Sequence, residues 1–570
     1  MKHLLKNTSI LIALVIFLAV GLTSARADVW GNDPSHNMVI EAKNLPVEFN
    51  DQTLIWEVDA GTKHQFPMPT IVDDKILVGS DLGGNPTPFW QEAANHGAGF
   101  TCYNMEDGSL LWRLIVPQGG YGPGTYGMCG TPVVEGDRVY IMAMWEIFCL
   151  DLDGLADGND GMQGELGIMT RRPFKLPEGE SMPTELPEWS ADVIWHYSLR
   201  PFDIKVQDAT SCSIVEVDGQ LWVSTANEIG SRARTYQPDK VKPHMVVLDK
   251  ETGQLIARDN MDVPIVFHGE WSSPSLIEVN GKKSVIFPDG YGVLHAFKIP
   301  ETKVQDEPVI LEEYWQLDLN PKEWRYLPDG REIVYTLDKR LDYKYPAEYY
   351  TNPEKFYMYN DDERPQEDDE HWTGFSRTNK GLADGSHESI LGPCEIISMP
   401  AVHENRIYIG IGRDGSYGLS RGTGRFVCIE VEDVEKQPKI IWEDREIGRT
   451  QSTASIADGL VYIADGHGFL HCYEADTGKV VYRQDLDSRQ IKERSQMLVD
   501  GKIYVCTREK RMKVYKAGRD PEFLGESRLK AASATIEAVD GKVVIVLPRS
   551  VALYGNKPVS QPGEEIDLDS

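Results

Sequence analysis

The chain has 570 residues with 89 acidic and 58 basic side chains, a formal net charge of −31. A surface this acidic repels polyanions, which excludes nucleic acid and anionic membrane surfaces as partners. Length alone would divide the chain into several domains, unless one repeat takes up most of it.

The first 27 residues carry Lys2 and Lys6, an apolar run from Ile10 to Leu22, and Ala25-Arg26-Ala27. A basic start, a short apolar core and an Ala-x-Ala site read as a secretory signal peptide cut before Asp28. The run is short for a bilayer span, and no Cys follows it to take a lipid. The expected product is a periplasmic or secreted monomer with no membrane span.

Past the strand-like Leu54-Ile-Trp-Glu-Val58, one hairpin phrase recurs eight times. It begins at Thr70, Pro132, Ile214, Leu276, Ala401, Ser455, Met497 and Ile536, and reads apolar run, tight polar turn, apolar run. Asp-Gly or Asn-Gly between β-branched runs is a hairpin signal, because two-residue hairpin turns require positive φ. A period of roughly 40–50 residues is that of a propeller blade. A third strand follows each hairpin, and where the repeat is complete a turn and a fourth strand come after it, as in Cys102-Tyr-Asn-Met-Glu-Asp-Gly-Ser-Leu-Leu-Trp112 and Cys472-Tyr-Glu-Ala-Asp-Thr-Gly-Lys-Val-Val-Tyr482. Trp195, Trp315 and Trp442 mark the same outer strand elsewhere, as fillers between blades.

The eighth hairpin ends at Val551-Ala-Leu-Tyr554 without an outer strand, and residues 54–58 offer a spare one. Their pairing would close the ring and remove its open edges. The fold expected over residues 28–555 is all-β, an eight-bladed antiparallel β-propeller closed by an N-terminal strand. Residues 556–570 read as a disordered tail. Insertions at 154–191, 225–243 and 318–392 break the period, and the last, rich in Tyr, Pro and acids, is expected to form irregular loops over one face.

Eight cysteines in an exported chain suggest disulfides. Cys102, Cys149, Cys428 and Cys472, however, share one repeat slot with Val247, Ala296, Val514 and Ala552. A slot filled by Cys, Val or Ala wants a small apolar group, so these four read as buried free thiols. Cys129, Cys212, Cys394 and Cys506 lie off that phase and leave a disulfide open.

The phrase Asp-x-x-Thr-Gly-x-x-x-[Trp/Tyr], repeated with these hairpins over residues 50–555, resembles the quinoprotein (PQQ-repeat) propeller superfamily. Leu150-Asp-Leu-Asp-Gly-Leu-Ala-Asp-Gly-Asn-Asp-Gly161, His268-Gly-Glu-Trp-Ser-Ser-Pro274 and Gly424-Arg-Phe-Val-Cys-Ile429 are similar to a group of exported PQQ-like proteins within it. The resemblance implies a quinoprotein alcohol dehydrogenase-like ring, whose members include dehydrogenases and assembly scaffolds alike.

Two constellations could carry function. Asp151, Asp153, Asp157, Asn159 and Asp160 place five oxygen side chains in a Gly-spaced loop that could hold Ca²⁺. The spacing is not that of an EF-hand, and a solvated turn at a blade edge is the competing reading. The other is the channel mouth, approached by His64, Gln65, Gln207, Asp208, His268, Glu270, Trp271, Glu395, Arg449, Gln451, Arg494 and Gln496. His268, Glu270, Trp271, Arg449, Gln451 and Arg494 form the ligand set, with the two arginines suited to a carboxylate-bearing ligand and Trp271 to a flat ring. A merely wet channel lining is the alternative. Asn95-His96-Gly97-Ala98-Gly99 reads as a turn.

A PQQ-dependent dehydrogenase of this superfamily needs the quinone, Ca²⁺ held by Glu, Asn and Asp, and an Asp base. The chain lacks the adjacent Cys pair of the alcohol-oxidising members and any haem-attachment motif. It therefore reads as an exported binding or scaffolding module for a protein or small-molecule ligand at the channel face. The alternative is a dehydrogenase acting on an alcohol or sugar, with PQQ and Ca²⁺ as cofactors.

Overall fold

The hairpin turns fold through the backbone that their residues favour. Asp458 and Gly459 take φ of 52° and 72°, Asp500 and Gly501 of 54° and 64°, and Asn280 and Gly281 of 53° and 76°. Both central residues are left-handed, which matches the twist of the strands they join. This is seen in a computed structural model that describes residues 34–60, 67–81, 97–117, 127–170, 184–204, 206, 209–210, 212–227, 242–261, 263, 270–301, 307–335, 352–359, 394–412, 424–488, 496–531 and 535–556.

Eight antiparallel blades form the ring. Blade one runs from the channel outward as Thr70–Val72, Lys75–Asp81, Gly97–Asn104 and Leu110–Pro117. The order repeats to blade seven, Met497–Val499, Lys502–Cys506, Arg511–Lys516 and Phe523–Arg528. Blade eight has three strands from the C-terminal end, Thr535–Val539, Lys542–Leu547 and Ser550–Gly555. Its outer strand is Leu54–Asp59, which pairs Leu54 with Tyr554 and Val58 with Val551. The expected closure is present.

Hairpin turns and the turns between third and fourth strands share one face of the ring. The connections between second and third strands, and from blade to blade, start on the opposite, loop face.

Packing between blades explains the repeated tryptophans. Trp112 Nε1 donates to Leu152 O of the next blade (2.8 Å), Trp195 to Lys250 O (3.2 Å), Trp315 to Val434 O (3.0 Å) and Trp442 to Ala475 O (2.9 Å). Across the closure, Trp56 does the same to Met105 O (3.0 Å). The turn glycine is required where the ring of the preceding blade lies on it. At Gly478, φ is 68° and an added Cβ would come within 2.5 Å of Trp442.

The small-residue slot is buried throughout. Cys102, Val247, Ala296, Cys428, Cys472, Val514 and Ala552 are 0% exposed and Cys149 is 1%. The strand register shifts at or immediately after this slot in blades one to seven. All eight cysteines are buried thiols outside any disulfide, Cys129, Cys212, Cys394 and Cys506 included. Burial pushes the thiols of Cys149, Cys428 and Cys472 up to about 12, so they stay protonated.

Two expectations need correction. Gly97, Ala98 and Gly99 are not a turn but the start of a strand, with Ala98 and Gly99 opposite Asp81 and Ser80 on one side and all three opposite Pro117, Val116 and Ile115 on the other, because the small residues extend the ladder between the second and fourth strands of blade one. Asn95 and His96 lie outside the described residues. The segment after blade four is not wholly irregular: it has a short helix, Lys322–Arg325, and a parallel pair, Glu332–Tyr335 with Phe356–Tyr359. Within 154–191, the helix Glu165–Met169 packs Met169 with Ile115 of blade one.

An element without a sequence signature crosses the channel. Residues 34–49 form a strap along the inner strands of blades four to seven. Leu276 N donates to Pro34 O and Val402 N to Ser35 O, both at 2.8 Å. Asn37 exchanges two bonds with the Ile456 backbone (2.9 and 2.7 Å). Val39–Ile40 pairs in parallel with Leu498 and Val499. Lys43 N and Leu45 N then reach Asp540 and Asp500 in hairpin turns, which puts the strap at the hairpin-turn face.

His36 in the strap is fully buried, bonds Ser275 Oγ through Nδ1 (2.8 Å), and is pushed by burial down to about 3. A histidine kept neutral by the fold stabilises fully above its unfolded pKa of 6.5. That contribution falls as the pH drops below this value, by about 1.4 kcal/mol per unit. Strap docking should therefore weaken by about 2 kcal/mol near pH 5. Hydrogen exchange at Val39 and Ile40, corrected for intrinsic rate, should accelerate between these pH values and not do so in His36→Asn. An unchanged rate in the wild type would refute the assignment.

Candidate functional site

The loop face is built on a seven-residue phrase that occurs twice. Asp289-Gly-Tyr-Gly-Val-Leu-His295 and Asp465-Gly-His-Gly-Phe-Leu-His471 each turn from second to third strand of a blade. Asp289 Oδ1 accepts from Tyr291 N (3.0 Å) and Val293 N (2.7 Å), and Oδ2 faces His295 Nε2 (3.3 Å). Asp465 Oδ1 accepts from His467 N and Phe469 N, both at 3.0 Å, while Oδ2 takes Gly448 N (2.9 Å) and His471 Nε2 (2.8 Å). Burial alone would raise the Asp465 carboxyl, yet the His471 charge and bond hold it at about 2. Burial lowers His295, but Asp289 and Glu313 outweigh it and raise the imidazole to about 9.

Between blades three and four, His244 Nδ1 lies 2.6 Å from Glu270 Oε1, both fully buried. Burial lowers His244, and the Glu270 charge more than reverses this, to about 9. Glu270 is pushed up by the same burial, with His244 opposing. Asp259 Oδ1 holds the backbone beneath by accepting from His244 N (2.7 Å) and Met245 N (2.6 Å). His244 Nε2, Glu270 Oε2 and both polar side-chain atoms of Asn227 are buried without hydrogen-bond partners.

The other described members of the channel set divide by junction. Trp271 is half-buried beside Glu270. Arg449 and Gln451 lie between blades five and six and are 2% and 7% exposed. Arg449 runs closely over Gly466, where a Cβ would come within 2.6 Å of its Cγ. The amide of Gln451 is buried with both polar atoms unpaired. Glu395 is fully buried. Gln496 is a strut between blades: Nε2 donates to Thr453 O, Ser455 Oγ and Tyr462 O, and Oε1 accepts from Ala464 N. His64, Gln65, Gln207, Asp208, His268 and Arg494 lie outside the described residues.

The acidic loop of blade two sits on the hairpin-turn face. Asp151, Asp153 and Asp157 bring carboxylate oxygens within 4.8 Å of one another. Arg138 pairs with Asp151 (2.7 Å) and Lys75 with Asp153 (3.0 Å). Asn159 turns away to Gln163, whose Nε2 donates to its Oδ1 (2.8 Å), and Asp160 gives its backbone N–H to Asp192 Oδ2 (2.9 Å).

A Ca²⁺-bound quinone would require free carboxylates at the channel mouth. Asp289 and Asp465 are saturated by the bonds above and Glu270 gives one oxygen to His244, so of these three acids only Glu270, through its unpaired Oε2, has an oxygen left for such a group. The sequence reading missed the Asp–His turns, although the repeated phrase was a usable signal. It also missed His244 and Asn227, which lie at the two ends of the 225–243 insertion and carry no pattern of their own.

The family described as "Outer membrane protein assembly factor BamB", a PQQ-repeat family, matches residues 429–562. No curated protein matches the chain in sequence. Among solved structures, BamB from Moraxella catarrhalis is 10% identical, with a TM-score of 0.47, covering 88% of this chain and 99% of its own. Quinohemoprotein alcohol dehydrogenase from Comamonas testosteroni is 11% identical, with a TM-score of 0.45, covering 96% and 83%. Sqt1 of Saccharomyces cerevisiae is 8% identical, with a TM-score of 0.46, covering 89% and 99%. Rings this distant carry no shared chemistry with them. No helix among the described residues is long and apolar enough to cross a membrane.

Proposed function

We propose that the chain, whose residues 429–562 match a PQQ-repeat family, is a binding or scaffolding module of the cell envelope without redox turnover of its own. The observation that carries this reading is the pairing of Asp289, Asp465 and one oxygen of Glu270 with His295, His471 and His244. A dehydrogenase keeps such groups available for metal and proton transfer. Here they brace turns. The matched family, described as an assembly factor, supports the same class of role. Export rests on the leader read in residues 1–27.

The binding surface in this reading is the loop face, since the strap occupies the opposite end. The base of the 318–392 insertion is firmly seated there. Arg325 lies over the Tyr291 ring at 3.7 Å and bonds Asp318, while Tyr291 Oη donates to Glu332 (2.7 Å). Tyr326 beside it is exposed.

Two measurements test the proposal. Purified protein given PQQ and Ca²⁺ should not reduce an artificial electron acceptor. Turnover that disappears in the Arg449→Ala, Arg494→Ala double variant would overturn the reading in favour of a quinoprotein dehydrogenase. A photo-crosslinking residue at Tyr326 should give discrete adducts with an envelope polypeptide, and one at Ile310, exposed on the outer rim of blade three, should not. The reverse pattern would move the binding surface off the loop face.

A further inference from the structure

The acidic loop of blade two has a second feature besides its exposed carboxylates. Asp192, at the far end of the insertion, is 0% exposed. Its Oδ2 accepts from Asp160 N, while its Oδ1 is buried with no hydrogen-bond partner. The acids acting on this carboxylate are Glu165, Asp151 and Asp160. The Asp192 backbone carbonyl ties it to the loop by accepting from Asp151 N at 3.0 Å. A buried, unpaired carboxylate oxygen acted on by three other acids is unfavourable unless a cation compensates it.

The two cations present do not supply that compensation. Lys75 also pairs with Asp74 (3.0 Å), and Arg138 also approaches Asp137 (3.5 Å). Against them stand Asp151, Asp153, Asp157, Asp160, Glu165 and Asp192. The scaffold under these groups is fixed. Met162 N donates to Val193 O (2.8 Å), and Gly154 lies against Trp112, where a Cβ would come within 2.6 Å of Cδ1.

We propose that this loop binds one divalent cation of the calcium class, with Asp151, Asp153 and Asp157 as ligands and the buried Asp192 carboxylate supplying charge from behind. The donors are all hard oxygens, with no His or Cys, which selects Ca²⁺ or Mg²⁺ over zinc and copper. Two of the three ligands are exposed, which leaves room for the waters that complete the six to eight positions of Ca²⁺. The site lies on the hairpin-turn face and does not depend on the function proposed for the loop face.

The test uses the full mature protein after chelation. Tb³⁺ should give luminescence excited through tryptophan, since Trp112 adjoins the loop, and Ca²⁺ should quench it by competition. Ca²⁺ should raise the melting temperature saturably. Asp157→Asn, an exposed change, and Asp192→Asn, which keeps an acceptor for Asp160 N, should each weaken apparent affinity tenfold or more. Asp74→Asn, on Lys75 but outside the ligand set, should bind as the wild type does. Absence of Tb³⁺ luminescence and of any Ca²⁺ response at millimolar concentration would overturn the proposal. So would wild-type affinity in Asp157→Asn, which carries the test alone if Asp192→Asn does not fold.

Discussion

Deletion of residues 28–60 should abolish cooperative unfolding, because it removes both the channel strap and the outer strand of blade eight. The strap buries Met38, Ile40, Leu45 and Phe49, all at 5% exposure or less. At about 1.5–3 kcal/mol per large apolar side chain this is about 6–12 kcal/mol, an upper bound relative to an extended unfolded chain. Phe49 packs edge-on against Tyr504 and Tyr554, at 6.2 and 5.3 Å between ring centroids, and so ties blade seven to blade eight. Whole domains are stable by only about 5–15 kcal/mol. A shorter deletion, 28–49, keeps Leu54–Asp59 and should retain a cooperative urea transition at a much lower midpoint. A wild-type midpoint in either deletion would refute the structural role of the strap.

Trp112→Ala should cost about 3–5 kcal/mol, the range for deleting a buried aromatic side chain. Trp112 is 1% exposed, fills the junction of blades one and two, and satisfies Leu152 O. Trp112→Phe keeps most of the volume and loses the bond, and should cost about 1–2 kcal/mol. The glycine under another of these tryptophans, Trp442, should be as sensitive from the other side. Gly478→Ala adds left-handed strain of about 1–2 kcal/mol and drives a methyl into Trp442. Urea unfolding of the three variants measures all of these, and a Trp112→Ala protein within 1 kcal/mol of wild type, against the ~3 kcal/mol minimum, would show that the junction does not depend on it.

The sequence by itself determined what is local or periodic. Asp-Gly and Asn-Gly pairs specify hairpins because only left-handed backbone fits their turns. The Thr-Gly turns specify a close approach that Trp fills. A missing strand at one end and a spare one at the other specify closure, and the slot shared by Cys, Val and Ala specifies burial without disulfides.

Tertiary structure decided everything that depends on the ring being closed. His36 meets Ser275, and Asn37 meets Ile456, across more than 200 and 400 residues. Nothing in Pro34-Ser-His-Asn-Met-Val-Ile40 marks it as a strap, because its partners are free edges of inner strands that exist only once the blades stand side by side. The same holds at both sites. Asp192 joins the acids of the 151–165 loop only where the fourth strand of blade two returns beside the third, and Glu270 meets His244 only where blade four follows blade three. Local spacing selects backbone conformation. The pairing of charges in a low-dielectric interior depends on distances that only long-range packing sets.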